Sequence, residues 1–298
     1  MKLFKLISAS AAAVLCASSM LSASAADNIM TFRIDADETY VSLGQLEEGD
    51  AILKGAVYID NYSGLSSLRL IFKGDEPLAI ENGDFTRNPD KKEAKSDELV
   101  HKMFEKHDQA EYMQYSEITG ESNVVLWYAD GYVEDAVGKQ TDPDSSFVNF
   151  DVRVPKDAAP GDYKCYISTE IKKNIADQLE EDFFAYAGPK QLVLDTDVAL
   201  TPMTVSVYLR GDVTCDGKVD VKDAQNALKL YTNEQVAGLV LTEDELKETL
   251  GTDHIRAARR AGDIAGDGKV DVSDAQSILR YYTETFAGLA PQWEDYFK

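Results

Sequence analysis

Apolar and polar residues alternate along much of the chain before residue 209, and this pattern predicts β-strands. Every second side chain from Val148 to Val154 is apolar, and the side chains between them are polar. The turn-forming residues Pro160-Gly161-Asp162 separate this run from the next one. Short alternating strands divided by turns are typical of two-layer antiparallel folds. We therefore predict an antiparallel β-sandwich as the domain that spans residues 26–209.

Two stretches inside this domain depart from the period of a strand. The charged segment near residues 91–110 carries Leu99, Met103 and Phe104 at helical spacing, which predicts an inserted surface helix. A second short helix is predicted over Asn174–Phe184. The sandwich is therefore expected to carry helical insertions.

The C-terminal part contains an internal repeat. The segments Gly211–Thr232, GDVTCDGKVDVKDAQNALKLYT, and Gly262–Thr283, GDIAGDGKVDVSDAQSILRYYT, are identical at 14 of 22 aligned positions, with an offset of 51 residues. Such self-similarity is typical of a duplicated supersecondary unit. In each copy an acidic loop precedes a helical pattern, so we predict a small all-α domain over residues 210–298.

The segment between the two copies predicts a linking helix. Thr242 and Glu245 have the spacing of a capping box, and the apolar residues Leu246 and Leu250 follow at helical spacing. Residues Arg256–Arg260 predict a further helical turn.

Both copies carry oxygen donors at the spacing of a twelve-residue Ca²⁺ loop, with glycine at the sixth position where the backbone turns sharply. Without a cation, four carboxylates in so short a loop would repel one another. We therefore predict two bound Ca²⁺ ions. The predicted ligands of the first loop are Asp212, Thr214, Asp216, the carbonyl of Lys218, Asp220 and Asp223. Those of the second loop are Asp263, Asp267, the carbonyl of Lys269, Asp271 and Asp274.

Two departures from the standard loop predict weaker binding. The third position is Thr214 in one loop and Ala265 in the other, and alanine cannot act as a ligand. The twelfth position is aspartate where glutamate is usual. Millimolar extracellular Ca²⁺ can still fill such sites.

The N-terminal residues predict export. Lys2 and Lys5 precede the apolar and small-residue run Leu6–Leu21, and Ala23-Ser24-Ala25 offers a cleavage site, so residues 1–25 are predicted to be a signal peptide. After this run, the apolar segments are too short to span a membrane as a helix. The mature protein is expected to be extracellular, with any attachment to a cell surface made through a larger complex.

The net charge narrows the range of partners. The formal charge of the chain is −23, which opposes binding to the phosphate backbone of nucleic acids. Acidity is compatible with cation binding, and it also keeps an exported protein soluble.

The stretches GDVTCDGKVDVKDAQ and GDIAGDGKVDVSDAQ resemble the type I-like dockerin module of cellulosomes. The resemblance covers roughly Arg210–Leu289. It implies two calcium-bound helices in pseudo-twofold symmetry that bind a cohesin on a scaffoldin. The similarity of the two copies leaves two orientations of binding open. The offset between the copies is longer than in compact members of the family.

The same resemblance implies which residues contact the cohesin. Both sets place an aliphatic residue beside a hydroxyl or a cation, an arrangement that suits a small apolar hot spot with a polar rim. Core positions for Leu228 and Leu279 are the alternative. The implied contact residues are Val221, Lys222, Leu228, Lys229, Val272, Ser273, Leu279 and Arg280.

The N-terminal domain is similar, more loosely, to the cohesin module. The similar stretches are Leu53–Phe72, Phe147–Ile167 and Met203–Tyr208. Carbohydrate-binding sandwiches have the same pattern of short strands and turns, so this pattern is consistent with a dockerin-binding domain and with a sugar-binding one.

Three functions are consistent with these patterns. The first is a non-catalytic adaptor whose sandwich receives another dockerin, and we assign no catalytic residues. The second is a dockerin-borne carbohydrate-binding module, with Trp127, Tyr128 and Tyr132 as candidate sugar platforms. The third, a dockerin-borne glycoside hydrolase, needs two placed carboxylates. The sequence has no GxSxG or HExxH motif, and its three histidines have no metal or triad spacing.

Overall fold

The computed structural model describes most of the chain after the predicted signal peptide. The inserted helix predicted near residues 91–110 lies outside the described residues, as do residues 1–25. No helix in the described part has the length and apolar character needed to cross a membrane. The described residues are 29–81, 123–128, 146, 148–173, 177 and 179–296, with the backbone alone described for 123–128.

Fourteen strands and one short helix build the first domain in the described part of the chain. The helix is α1 (Leu43–Leu46). The strands are β1 (Met30–Ala36), β2 (Tyr40–Ser42), β3 (Ala51–Asp60), β4 (Ser67–Gly74), β5 (Ala79–Glu81), β6 (Asn123–Tyr128), β7 (Val148–Val154), β8 (Gly161–Ile167), β9 (Ile171–Lys173), β10 (Leu179–Glu181), β11 (Phe184–Ala187), β12 (Lys190–Gln191), β13 (Val198–Thr201) and β14 (Met203–Tyr208).

The strands form two large sheets. The five-stranded sheet has the order β13-β1-β3-β7-β5, and the seven-stranded sheet has the order β12-β11-β4-β8-β14-β2, with β6 also paired to β4. Strands β9 and β10 form a separate hairpin. The prediction of an entirely antiparallel fold is wrong at two pairs, because β13 runs parallel to β1 and β14 runs parallel to β2. The last strands of the domain return beside its first ones after long connections, which parallel pairing requires.

One apolar core fills the space between the two sheets. The predicted alternation in β7 is confirmed, since Val148, Val152 and Val154 are buried together with Phe150. Across the sheets, the ring of Phe150 lies 5.4 Å from the ring of Phe72, centroid to centroid. The alternating pattern therefore produces the sandwich by turning one face of each sheet inward.

The predicted helix over Asn174–Phe184 is wrong where the segment is described. Leu179–Glu181 is a strand, and Phe184 begins another strand that pairs with β4 and buries Ala185. Pairing with a neighbouring strand overrides a local helical pattern of this length.

Helices form the second domain. The linking helix is confirmed at both ends. Thr242 accepts a hydrogen bond from Glu245 N, the Glu245 carboxylate accepts one from Thr242 N, and Gly251 closes the helix at φ 76°. The elements are α2 (Val221–Tyr231), a π-helical turn (Thr232–Val236), α3 (Glu243–Leu250), α4 (Ile255–Gly262), α5 (Val272–Phe286) and a 3₁₀ turn (Trp293–Tyr296).

The helical domain has its own apolar core. Its buried cluster includes Leu230 of α2, Leu250 of α3, Ala258 of α4 and Ile278 of α5. Helix α4 is longer than the single turn predicted around Arg256–Arg260.

Strand β3 passes close to the ring of Phe150, and this contact can be tested by substitution. A Cβ atom at Gly55 would lie 2.6 Å from Phe150 Cε2. We expect Gly55→Ala to lower the free energy of unfolding by about 1–3 kcal/mol, because the ring must leave its packed position. Thermal or urea unfolding of the full chain measures the change. Gly44→Ala is the matched control, since its Cβ would meet only Ser42 Oγ at 3.9 Å; an equal loss in both variants would contradict the prediction.

Candidate calcium and partner-binding site

Backbone N–H groups organise the acidic side chains of the first predicted loop. The Asp212 carboxylate accepts a hydrogen bond from Asp216 N at 3.1 Å. The Asp223 carboxylate accepts from Thr214 N at 2.9 Å and from Asp220 N at 2.8 Å. The first and last acidic residues of the loop are therefore held by the backbone between them.

The second loop repeats these bonds 51 residues later. The Asp263 carboxylate accepts from Asp267 N at 3.0 Å. The Asp274 carboxylate accepts from Ala265 N at 3.0 Å and from Asp271 N at 2.8 Å. The duplication seen in the sequence is thus a duplication of loop structure.

Two positions in each loop have left-handed backbone. Gly217 and Gly268 both have φ 84°, which explains glycine at the sixth position. At the fourth position φ is 74° for Gly266 and 55° for Cys215. The sequence suggested no role for Cys215. Its thiol, whose pKa burial raises to about 12, packs against the helical core.

The ninth residue of each loop also starts the following helix. Asp220 caps α2 by accepting from Lys222 N at 2.6 Å, and Asp271 caps α5 by accepting from Ser273 N at 2.7 Å. Hydrogen bonds, first from the Ser273 hydroxyl, hold the pKa of Asp271 below its usual value. The loops therefore fix where both helices begin.

Several loop carboxylates are buried without a basic partner. Asp212 and Asp223 are 0% exposed and Asp274 is 2% exposed. Burial, supported by repulsion from neighbouring carboxylates, raises the pKa of Asp212 to about 6, and burial raises the pKa of Asp223 and Asp274. Among the described residues no salt bridge reaches these three groups, whereas Asp263 lies 3.8 Å from Arg260. Carboxylates in this position favour a bound cation.

The donor chemistry of the loops fits Ca²⁺. The available ligand atoms are carboxylate, hydroxyl and backbone carbonyl oxygens, which hard cations prefer. The second loop lacks one of these oxygens, because Ala265 stands where Thr214 supplies a hydroxyl. Across the described ranges, no three His, Cys, Asp or Glu side chains already converge as a metal site. The loop carboxylates are bonded instead to N–H groups of their own loop.

The residues implied to contact a cohesin are exposed on α2 and α5. The four aliphatic members are 40–45% exposed. Core positions for Leu228 and Leu279 are therefore wrong, since Leu230 and Ile278 occupy the core. The exposed set is Val221, Lys222, Leu228 and Lys229 on α2 and Val272, Ser273, Leu279 and Arg280 on α5.

The C-terminal segment closes onto the start of the first loop. The Trp293 ring stacks on Tyr281, with centroids 4.0 Å apart and planes 4° apart. The same ring lies against Gly211, where a Cβ atom would approach it to 2.7 Å. Tyr296 Oη donates to Glu284 at 2.8 Å. These contacts join the two ends of the helical domain.

Sequence reasoning missed a set of residues at the boundary between the domains. His254 Nδ1 accepts a hydrogen bond from Asp162 N at 3.0 Å, and Arg256 N donates to the Asp162 carboxylate at 2.8 Å. The partners are more than ninety residues apart in the chain, and neither side of the contact carries a recognisable motif.

Comparison with solved structures gives similarity to cohesin modules. A cohesin module of a family 33 glycoside hydrolase from Clostridium perfringens has a TM-score of 0.33 and 11% identity, over 61% of this chain and 99% of that one. A chain of a type I cohesin–dockerin complex from Clostridium thermocellum has a TM-score of 0.35 and 12% identity, over 63% and 100%. A cohesin bound to a dockerin from Acetivibrio cellulolyticus has a TM-score of 0.34 and 14% identity, over 60% and 99%.

No protein-family model matches the chain, and comparison with curated proteins finds no match.

The stacking of Trp293 predicts its contribution to stability. We expect Trp293→Ala to destabilise the helical domain by on the order of 1–2 kcal/mol, because it removes the stacked ring and uncovers Gly211. Calorimetric unfolding of the full chain measures this loss. Phe286→Ala is the control, because Phe286 is 82% exposed. Equal stability of the two variants would show that the Trp293 contact contributes nothing.

Proposed function

We propose that this chain is a secreted, non-catalytic adaptor that binds two Ca²⁺ ions and docks through α2 and α5 to a cohesin-type domain of a polysaccharide-degrading complex. The observation that carries the proposal is the duplicated loop, with its repeated hydrogen-bond network and its buried carboxylates. The resemblance of the repeats to dockerins supports the choice of partner.

The Ca²⁺ ions supply positive charge to the buried acidic groups and join the start of each loop to the following helix. Binding of the metal is then part of the free energy of folding of the helical domain. In the first loop the ligands are Asp212, Thr214, Asp216, the carbonyl of Lys218, Asp220 and Asp223. In the second loop they are Asp263, Asp267, the carbonyl of Lys269, Asp271 and Asp274.

The two helices offer equivalent docking faces. Val221 and Leu228 are seven residues apart on α2, so they lie on one side of the helix, and Val272 and Leu279 have the same spacing on α5. Lys229 and its counterpart on α5 add cations at the edge of each face. A small apolar patch with a charged rim suits a protein partner.

The outer surface of the five-stranded sheet favours a protein over a sugar as the second partner. Its charges are paired, with Arg33 2.6 Å from Asp35 and Lys54 2.6 Å from Asp151. The Arg33 guanidinium lies 4.8 Å above the ring of Tyr58, so this aromatic face is covered. A sugar platform needs open aromatic faces, and Tyr58 offers none; the side chains of the candidates Trp127, Tyr128 and Tyr132 lie outside the described residues. We assign the sandwich an adaptor role because its strand pattern resembles the cohesin module.

Calcium binding is tested by isothermal titration of the full chain. We expect two sites at millimolar Ca²⁺ or below, and we expect Asp216→Asn and Asp267→Asn each to weaken one site by on the order of tenfold, since each removes one ligand charge. Asp253→Asn is the control, because Asp253 is exposed and lies outside both loops. Absence of Ca²⁺ uptake by the unaltered chain would overturn the proposed function.

The docking faces are tested by pull-down against panels of cohesins, dockerins and insoluble polysaccharides. With equivalent faces, Leu228→Ala with Lys229→Ala should retain cohesin binding, and the further changes Leu279→Ala and Arg280→Ala should weaken it by at least about thirtyfold. Val240→Ala is the control, because Val240 is 97% exposed and lies outside both faces.

Complete loss of binding from the α2 changes alone would rule out two orientations. If the variant with all four changes binds polysaccharide and binds no dockerin, the sandwich is a carbohydrate-binding module and the adaptor role is wrong.

A further inference from the structure

Helix α4 receives its N-terminal cap from the other domain. The Asp162 carboxylate, on β8 of the sandwich, accepts from Arg256 N at 2.8 Å and from Ala257 N at 3.0 Å. The residue that precedes α4, His254, makes no side-chain cap of its own. Free N–H groups at the start of a helix need an acceptor, and a carboxylate there also interacts favourably with the helix dipole. The first turn of α4 is thus completed by the sandwich.

The Asp162 side chain is itself held in place. Ser206 Oγ donates a hydrogen bond to the Asp162 carboxylate at 2.7 Å. The backbone N–H of Asp162 donates to His254 Nδ1 at 3.0 Å. The neighbouring Gly161 permits this approach, because a Cβ atom there would lie 3.2 Å from His254 Cε1. The contact is therefore built from both sides.

The side chain of Arg256 extends the contact across the sheet. Its guanidinium donates to the carbonyl of Thr204 at 2.6 Å and to Thr39 Oγ1 at 3.1 Å, and it lies 5.1 Å above the ring of Tyr40. One side chain thus bridges β14 and the start of β2. The fixed fork geometry of a guanidinium makes such a contact specific in orientation.

An apolar contact lies beside these polar ones. Tyr208, at the end of the last strand, is buried against Ala257 and Ala261 of α4. The Arg260 guanidinium lies 5.0 Å above the Tyr208 ring. Small side chains on this face of α4 allow the helix to lie close to the sheet.

Both predicted calcium loops begin at the end of the same helix. Helix α4 ends at Gly262, and the next residue is Asp263, the first ligand of the second loop. The carbonyl of Ala261 accepts from Gly211 N at 2.8 Å, and Gly211 directly precedes Asp212, the first ligand of the first loop. A shift of α4 on the sandwich would therefore move the first ligand of both loops.

We propose that α4 couples calcium binding to the sandwich, so that Ca²⁺ bound in the loops stabilises the β-sandwich and fixes the orientation of the two domains. This inference rests on the proposed calcium binding. Ca²⁺ stabilises the loop geometry that is present when α4 is docked on the sandwich. By thermodynamic linkage, binding of the metal then favours docking of α4, and docking favours binding of the metal.

The test is scanning calorimetry of the full chain in Ca²⁺ and in a chelator, with Ca²⁺ uptake measured separately by titration. The unaltered chain should unfold in one transition that Ca²⁺ raises by about 5 °C or more. Asp162→Ala should separate this into two transitions, with only the helical one responding to Ca²⁺. Asp75→Ala is the matched control. The Asp75 carboxylate accepts a hydrogen bond from Lys164 N, on the strand β8 that also carries Asp162, and it takes no part in the α4 contact.

Arg256→Ala gives a second variant that alters the contact from the helical side and leaves the sandwich sequence intact. Separate, unlinked transitions in the unaltered chain, with Ca²⁺ uptake intact, would overturn the coupling and keep the calcium site. A single calcium-responsive transition in both Asp162→Ala and Arg256→Ala would overturn the role of this contact. Absence of Ca²⁺ uptake would overturn both the coupling and the proposed function.

Discussion

Helix α4 packs on both domains through alanine side chains on different faces. Ala258 belongs to the core of the helical domain, whereas Ala257 and Ala261 lie against Tyr208 of the sandwich. Larger side chains on either face would push the helix away from one of its neighbours. The eight-residue helix has few hydrogen bonds of its own, so its position depends on the acceptor that Asp162 provides. The proposed coupling between the sandwich and the two loops depends on this contact.

Local signals in the sequence predicted much of the helical domain. The repeat identified both loops, and the structure shows the same hydrogen bonds in each copy. The capping box at Thr242 predicted the start of α3, and the helical spacing of Leu246 and Leu250 predicted that it continues to Leu250. Glycine at Gly217 and Gly268 marked the two sharp turns. These features depend on interactions between residues close in sequence, so the residue types and their spacing are enough to predict them.

Contacts between distant residues could not be predicted in the same way. The parallel pairing of β1 with β13 joins segments far apart in the chain, and alternation within a strand carries no information on the direction of its neighbour. The strand at Phe184 forms because β4 pairs with it, against the local pattern. The contact of Asp162 with α4 has no motif on either side. Such features depend on the assembled fold, where tertiary contacts override local preference.

The duplicated loops have similar internal structure but different surroundings. The surroundings affect how strongly each loop attracts Ca²⁺. Before the first loop, Gly211 lies under the Trp293 ring and is bonded to the end of α4. In the second loop Asp263 already has Arg260 at 3.8 Å as a partial counter-charge, and Ala265 removes one ligand. A nearby cation and a missing oxygen both reduce the attraction of the site for Ca²⁺. Similar exposed faces on α2 and α5 can thus accompany unequal affinities at the two proposed Ca²⁺ sites, because the two loops meet different neighbours.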